Sequence, residues 1–113
     1  MKARKRADID STLAALADPN RRRVVDLLRE RPHSAGELAA AAHLSPPAMS
    51  RHLKILRASG LIDEARDELD SRVRIYSLKH GAMDELKSWL ARSEALWTRQ
   101  LAAFKAHVKR ART

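Results

Sequence analysis

Leu44 to Gly60 reads LSPPAMSRHLKILRASG, a short helix with both ends written into the sequence. Ser45 is placed to cap the first turn. Pro46 falls at the first helical position, where its missing N–H costs nothing. Gly60 falls just past the last turn, where a left-handed residue is wanted. Met49, Leu53 and Leu56 recur at +4 and +3, so one stripe faces a core. The opposite stripe is Pro47, Ser50, Arg51 and Lys54, all small or basic. That face suits the major groove of duplex DNA. It equally suits a surface helix of an ordinary bundle, so the flanking chain must decide.

The preceding chain supplies three more helices. Ile9 to Ala17 places Ile9, Leu13 and Leu16 on one face. Asp18-Pro19 is a second cap followed by a first-turn proline, opening a helix to about Arg31 with Val24, Leu27 and Leu28 inward. Arg21, Arg22 and Arg23 crowd its first turn, where positive charge opposes the helix dipole. Either two of them project into water and pair with Asp18 or Asp26, or one reaches a DNA phosphate. Ser34-Ala35-Gly36-Glu37 is a capping box opening a small helix to about Ala42. His33 and His43 read as turn residues. Two short helices joined by His43-Leu44 make a helix-turn-helix over 34–60.

After Gly60 the pattern becomes extended. Leu61-Ile62 is apolar, Asp63 to Arg66 is mostly polar, and Asp67 to Ser71 is turn-like. Arg72 to Leu78 is a β-branched return strand. The segment 61–78 is therefore a two-stranded hairpin, a wing. Arg66, Arg72 and Arg74 either contact DNA or neutralise Asp67, Glu68 and Asp70 across the hairpin. Residues 82–110 form one long helical pattern, with Met83, Leu90, Trp97 and Phe104 at heptad spacing and Leu86 and Leu101 between them. Its seam calls for a partner beyond the monomer. The natural one is the same helix of a second subunit, with Ile9, Leu13 and Leu16 contributing. The fold class expected is mainly α with a β-hairpin wing, in one domain over 1–113.

Charge narrows the function. Lys and Arg number 23 against 14 Asp and Glu, for a net charge of +9 and a pI near 10.8. So basic a small chain is suited to a polyanion. The basic arm at 1–8 (Lys2, Arg4, Lys5, Arg6) reads as a solvated terminus. Aromatics are only Trp89, Trp97, Tyr76 and Phe104, which disfavours stacking platforms for single strands. Cysteine is absent, which excludes disulfides, thiolate metal sites and cysteine nucleophiles. No membrane-spanning run or signal-peptide core appears, so a cytoplasmic protein, associated with the nucleoid when DNA-bound, is expected. An enzyme is not expected. Ser50 and His52 at i, i+2 point to different helix faces, and no phosphate loop or nucleophile elbow occurs.

The runs LADPNRRRVVDLL (Leu16 to Leu28), LSPPAMSRHLKILRASGLI (Leu44 to Ile62) and RIYSL (Arg74 to Leu78) resemble the ArsR/SmtB winged-helix repressors. The likeness covers roughly residues 9–80. It implies a homodimer that binds palindromic operator DNA and represses nearby genes, with Ser50 and Arg51 facing the major groove and His52 packed partly inward. Two features depart from the pattern. Members that sense thiophilic metals carry Cys-x-Cys where this chain has Ser34-Ala35-Gly36. A second family site uses His and carboxylates on the last helix, for which only His80, Asp84 and His107 stand here. The wing tip, DELDS, is acidic and lacks glycine, which shifts the expected base reading to Ser50 and Arg51.

The expected function is a sequence-specific DNA-binding repressor not controlled by thiophilic metals. Its expected DNA contacts are Ser45, Pro47, Ser50, Arg51, Lys54, Arg57, Arg66, Arg72 and Arg74. No cofactor, no metal and no membrane partner are expected, and any effector would be a small organic molecule or a partner protein. The alternative is a sequence-tolerant architectural DNA binder, with salt-dependent affinity and little discrimination between sequences.

Overall fold

The computed structural model describes residues 8–112, so the expected arm at residues 1–7 lies outside the described part. The element order is α1 (Ile9–Leu16), α2 (Pro19–Glu30), β1 (His33–Ser34), α3 (Ala35–Ala42), α4 (Pro46–Ala58), β2 (Ile62–Arg66), β3 (Arg74–Leu78) and α5 (Asp84–Ala111). Two compact units result, one ending at Met83 and one beginning at Asp84.

In the first unit the caps form as their residue types demand. The Asp18 carboxylate accepts the backbone N–H of Asn20 at 2.8 Å and of Arg21 at 3.2 Å. The Ser34 hydroxyl accepts from the Glu37 N–H at 3.2 Å, while the Glu37 carboxylate accepts from the Ser34 N–H at 3.0 Å, closing the capping box. The Ser45 hydroxyl accepts from the Ala48 N–H at 3.3 Å. Asp8, which opens α1 in the same way, is a helix cap rather than part of an arm.

Both helices of the helix-turn-helix end in the same motif. The Leu44 N–H donates to the Ala39 carbonyl and the His43 N–H to the Ala40 carbonyl. Likewise the Leu61 N–H donates to Leu56 and the Gly60 N–H to Arg57. These are paired 6→1 and 5→2 bonds around one left-handed residue. That residue is His43 (φ 56°) after α3 and Gly60 (φ 82°) after α4. A side chain at Gly60 would be strained, so Gly60→Ala is expected to cost about 1–2 kcal/mol in denaturant unfolding.

The core of this unit joins all its helices to the sheet. Val24, Leu38 and Leu56 are fully buried, with Met49, Leu53, Leu61, Ile62 and Tyr76 around them. The stripe expected on α4 is thus the core face. On α1 the buried residues are Thr12 and Ala15, while Leu13 is exposed and Leu16 is partly buried against the core.

The sheet has three antiparallel strands in the order β1-β3-β2, not the two of a simple hairpin. The added strand is His33–Ser34, pairing His33 with Tyr76 and Ser34 with Ile75. Two residues carry no periodicity, and their partners lie some forty positions away. His33 is accordingly a buried strand residue rather than a turn residue. One ring nitrogen lies 3.1 Å from the Leu27 carbonyl oxygen and the other 3.7 Å from the Glu37 carboxylate.

β2 pairs with β3 from Ile62–Leu78 to Arg66–Arg74. Arg72 and Val73, expected in the return strand, instead close the tip. The Asp67 N–H donates to the Val73 carbonyl and the Val73 N–H to Asp70, both at 2.9 Å. The acidic tip residues hold that turn. The Asp67 carboxylate accepts from the Asp70 N–H, and the Asp70 carboxylate from the Arg72 N–H.

The second unit is α5, a single helix of 28 residues, about 42 Å long at 1.5 Å per residue. Leu86 is its buried residue, whereas Leu90, Trp97, Leu101 and Phe104 are each half exposed or more. Met83, expected to begin this seam, lies in the turn before α5 and packs against the core of the first unit.

Candidate nucleic-acid interface

Ser45, Pro47, Ser50, Arg51, Lys54 and Arg57 are all exposed on α4 or its cap. With Met49, Leu53 and Leu56 locked into the core, the helix can present only its opposite side to a ligand. At 100° per residue that side is Pro47, Ser50, Arg51 and Lys54. Arg57 extends the row from Ser50 and Lys54 by one further turn. His52 is half-buried between the two faces, its Nδ1 3.4 Å from the Arg21 guanidinium.

The basic residues around this face differ in how they are held. The Arg21 guanidinium donates to the carbonyls of Ala15 at 2.7 Å and Ala14 at 3.3 Å, and Arg22 donates to Leu16 at 2.6 Å. These are carbonyls in the last turn of α1, of which Ala14 also accepts the Ala17 N–H at 3.3 Å. Arg21 and Arg22 therefore cap the preceding helix, a favourable interaction that opposes the cost of their place at the start of α2. Asp26 pairs instead with Arg29, at 3.2 Å.

In the wing, Arg66 donates to the Ser71 carbonyl at 3.1 Å, and Arg72 is paired with Asp70 at 3.1 Å. Arg74 does not neutralise the tip acids. Its partner is Glu64, on the neighbouring strand. Arg51 and Lys54 make no hydrogen bond or ion pair among the described residues. They are the cations of the α4 face that remain available to an outside anion.

Glu64 is the residue that the sequence reading missed. Its side chain is only 10% exposed, although it belongs to the polar run after Ile62. The Tyr76 hydroxyl donates to it at 2.9 Å and the Arg74 guanidinium donates to its other oxygen, while the Arg57 guanidinium pairs with it as an ion at 3.0 Å. Burial alone would raise its carboxyl pKa. The hydrogen bonds from Tyr76 and Arg74 and the charges of Arg57 and Arg74 outweigh burial and hold it below the usual carboxylate value. Burial, reinforced by Glu64, pushes the Tyr76 phenol up. The signal was present in the sequence: strand alternation puts Glu64 on the face of buried Ile62. Only the register opposite Tyr76 shows what it meets there.

A shallow open concavity of about 400 Å³ adjoins this cluster, lined by Lys54, Arg57, Ala58, Ile62, Asp63 and Glu64. It is mostly polar and unlike the apolar pockets that hold small molecules. Among the described residues, no group of three or more His, Asp or Glu is arranged to hold a metal ion. No described helix is long and apolar enough to cross a membrane.

Comparison with known proteins agrees with this geometry. The family model described as "Bacterial regulatory protein, arsR family" matches residues 18–64, from the α2 cap into β2. The chain is 36% identical over 95 residues to the HTH-type transcriptional regulator Rv2034 of Mycobacterium tuberculosis, covering 84% of this chain and 83% of that protein. It is 29% identical over 82 residues to the transcriptional repressor SdpR of Bacillus subtilis, covering 73% and 88%. Among solved structures, an ArsR-like transcriptional regulator from Rhodococcus sp. RHA1 superposes with a TM-score of 0.74 at 30% identity, covering 89% of this chain and 90% of that one.

Proposed function

The chain belongs to the ArsR family of bacterial transcriptional regulators, and from that premise we propose that it is a homodimeric repressor that reads a palindromic operator with α4. The observation that carries this is the contrast on the α4 face. Arg57 and the wing arginines 66, 72 and 74 are tied to protein oxygens, whereas Arg51 and Lys54 are exposed with no partner among the described residues. Arg51 follows Ser50 in the middle of the helix and would donate to guanine O6 and N7, a bidentate contact worth about 1–3 kcal/mol. Lys54 would meet phosphate, and Ser45, Pro47 and Ser50 let the backbone of α4 approach the groove closely.

The dimer is supported by the exposed seam of α5, Leu90, Trp97, Leu101 and Phe104, a large apolar patch for a solvent-facing helix. Two α4 helices related by a dyad would read half-sites about 10–10.5 bp apart, roughly 34 Å, or a multiple of that. The absence of cysteine leaves no thiolate with which to sense thiophilic metals.

Selection of bound duplexes from a random pool at fixed salt tests the reading. It should return a palindrome, and its half-site spacing reports the dimer. On that operator Arg51→Ala is expected to lose about 5- to 150-fold in affinity and to relax preference at one position per half-site. Lys54→Ala should weaken operator and random duplex alike. Equal losses on both duplexes for both variants would remove Arg51 from base reading. A pool without consensus would favour a sequence-tolerant binder.

A further inference from the structure

The cluster around Glu64 joins three elements of the DNA-facing side. Arg57 comes from α4, Glu64 from β2, and Arg74 and Tyr76 from β3. One carboxylate, with a side chain only 10% exposed, is ion-paired with two guanidiniums that are themselves half exposed, 50% for Arg57 and 51% for Arg74. A carboxylate with an arginine against each oxygen presents what a phosphate would present: a compact anion paired with guanidinium, here through one charge-assisted hydrogen bond from Arg74 and one ion pair with Arg57. Arg57 continues the row Ser50–Lys54 on α4, and Lys54, Arg57 and Glu64 line the same open concavity. The two arginines thus lie beside the proposed groove contact, already held by one carboxylate that cancels one of their two charges.

We propose that Glu64 is a specificity-determining residue that acts as an internal phosphate mimic, withholding Arg57 and Arg74 from the DNA backbone. This rests on the reading of α4 as the DNA-facing helix. Phosphate contacts carry no sequence information, and each adds about 0.9 to the salt slope of binding to any B-form duplex. A regulator with Arg57 and Arg74 unmasked would hold random DNA more tightly with no gain in base reading. Glu64 lowers that background, so that discrimination falls to Arg51 and Ser50. Tyr76 fixes the carboxylate by donating its hydroxyl to it, and the buried ring holds that hydroxyl in place.

The test is the salt dependence of binding to a random duplex and to the duplex selected from the random pool, using the full chain. Glu64→Gln keeps the size of the side chain and an oxygen to accept from Tyr76, but removes the charge. It is expected to tighten random-duplex binding by about tenfold or more at 0.1 M salt and to steepen the slope by about 1–2 per subunit. The ratio of operator to random affinity should fall. Glu64→Asp, which keeps the charge, should return the slope toward that of the wild type, and the gain should vanish in E64Q/R57Q/R74Q.

Arg74→Gln in the otherwise unchanged chain gives a measurement independent of how well E64Q folds. Its random-duplex slope should equal that of the wild type, because the slope counts phosphate contacts and Arg74 is held on Glu64 instead. A slope lower by about 1 would show Arg74 on phosphate and overturn the inference. So would an E64Q protein, folded by circular dichroism, whose slope equals that of the wild type. Wild-type protein that binds neither duplex would overturn the reading of α4 itself, and this inference with it.

Discussion

Leu56→Ala is expected to lower the unfolding free energy by about 3–5 kcal/mol, the loss expected of a fully buried leucine. Leu56 is fully buried, and its backbone carbonyl takes the Leu61 N–H that closes the end of α4. Truncation leaves a cavity where α4 meets the sheet, and close-packed surroundings relax into it only in part. Domains of this size hold about 5–15 kcal/mol in all, so the midpoint of thermal unfolding should drop by roughly 15 °C or more. Ile55, its neighbour, is 44% exposed. Ile55→Ala should cost less than about 1.5 kcal/mol, since much of its surface never leaves water. Urea unfolding of both variants checks the contrast. Equal losses would mean that the core face of α4 is wrongly assigned.

Trp97→Ala and Phe104→Ala are each expected to weaken self-association by about 2–4 kcal/mol, or roughly 30- to 1000-fold in the dimer dissociation constant. The side chains lie seven residues apart on α5, 66% and 63% exposed. Two large aromatic rings left in water on one helical stripe are the kind of surface that anchors an interface. Sedimentation of wild type and variants over a range of concentrations measures the effect. The variants should still bind an isolated half-site with the preference of the parent while losing the gain in affinity from the full palindrome. Unchanged mass in both variants would place the dimer contact elsewhere. Loss of half-site binding together with dimerisation would mean that the two roles are not separable.

Local chemistry made most of the fold legible. Asp18-Pro19, the Ser34/Glu37 box and Ser45-Pro46 fixed where three helices begin, because a cap is satisfied within four residues of itself. Gly60 marked where α4 ends for the same reason. Met49, Leu53 and Leu56 identified the buried stripe, so the exposed stripe with Ser50, Arg51 and Lys54 followed by geometry. The His33–Ser34 strand was not legible, since its pairing with Ile75 and Tyr76 depends on closure of the whole first unit. Nor was the role of Arg21 and Arg22, which cap α1 only because the chain turns back sharply at Ala17-Asp18.

What the sequence alone determined is the α4 helix: its ends, its core face and the residues of its other face. All of that follows from intervals of three and four residues along one helix. What only the tertiary structure decided is which of the nearby cations are held by protein groups and which face water. Glu64 meets Tyr76 through β2–β3 register and Arg57 through the packing of α4 beside β2, and neither distance can be read from a one-dimensional pattern. Sequence counts charges, but the free energy of a charge depends on what it faces across space. Arg57 and Arg74 lie against an inward-facing carboxylate, while Arg51 and Lys54 face water.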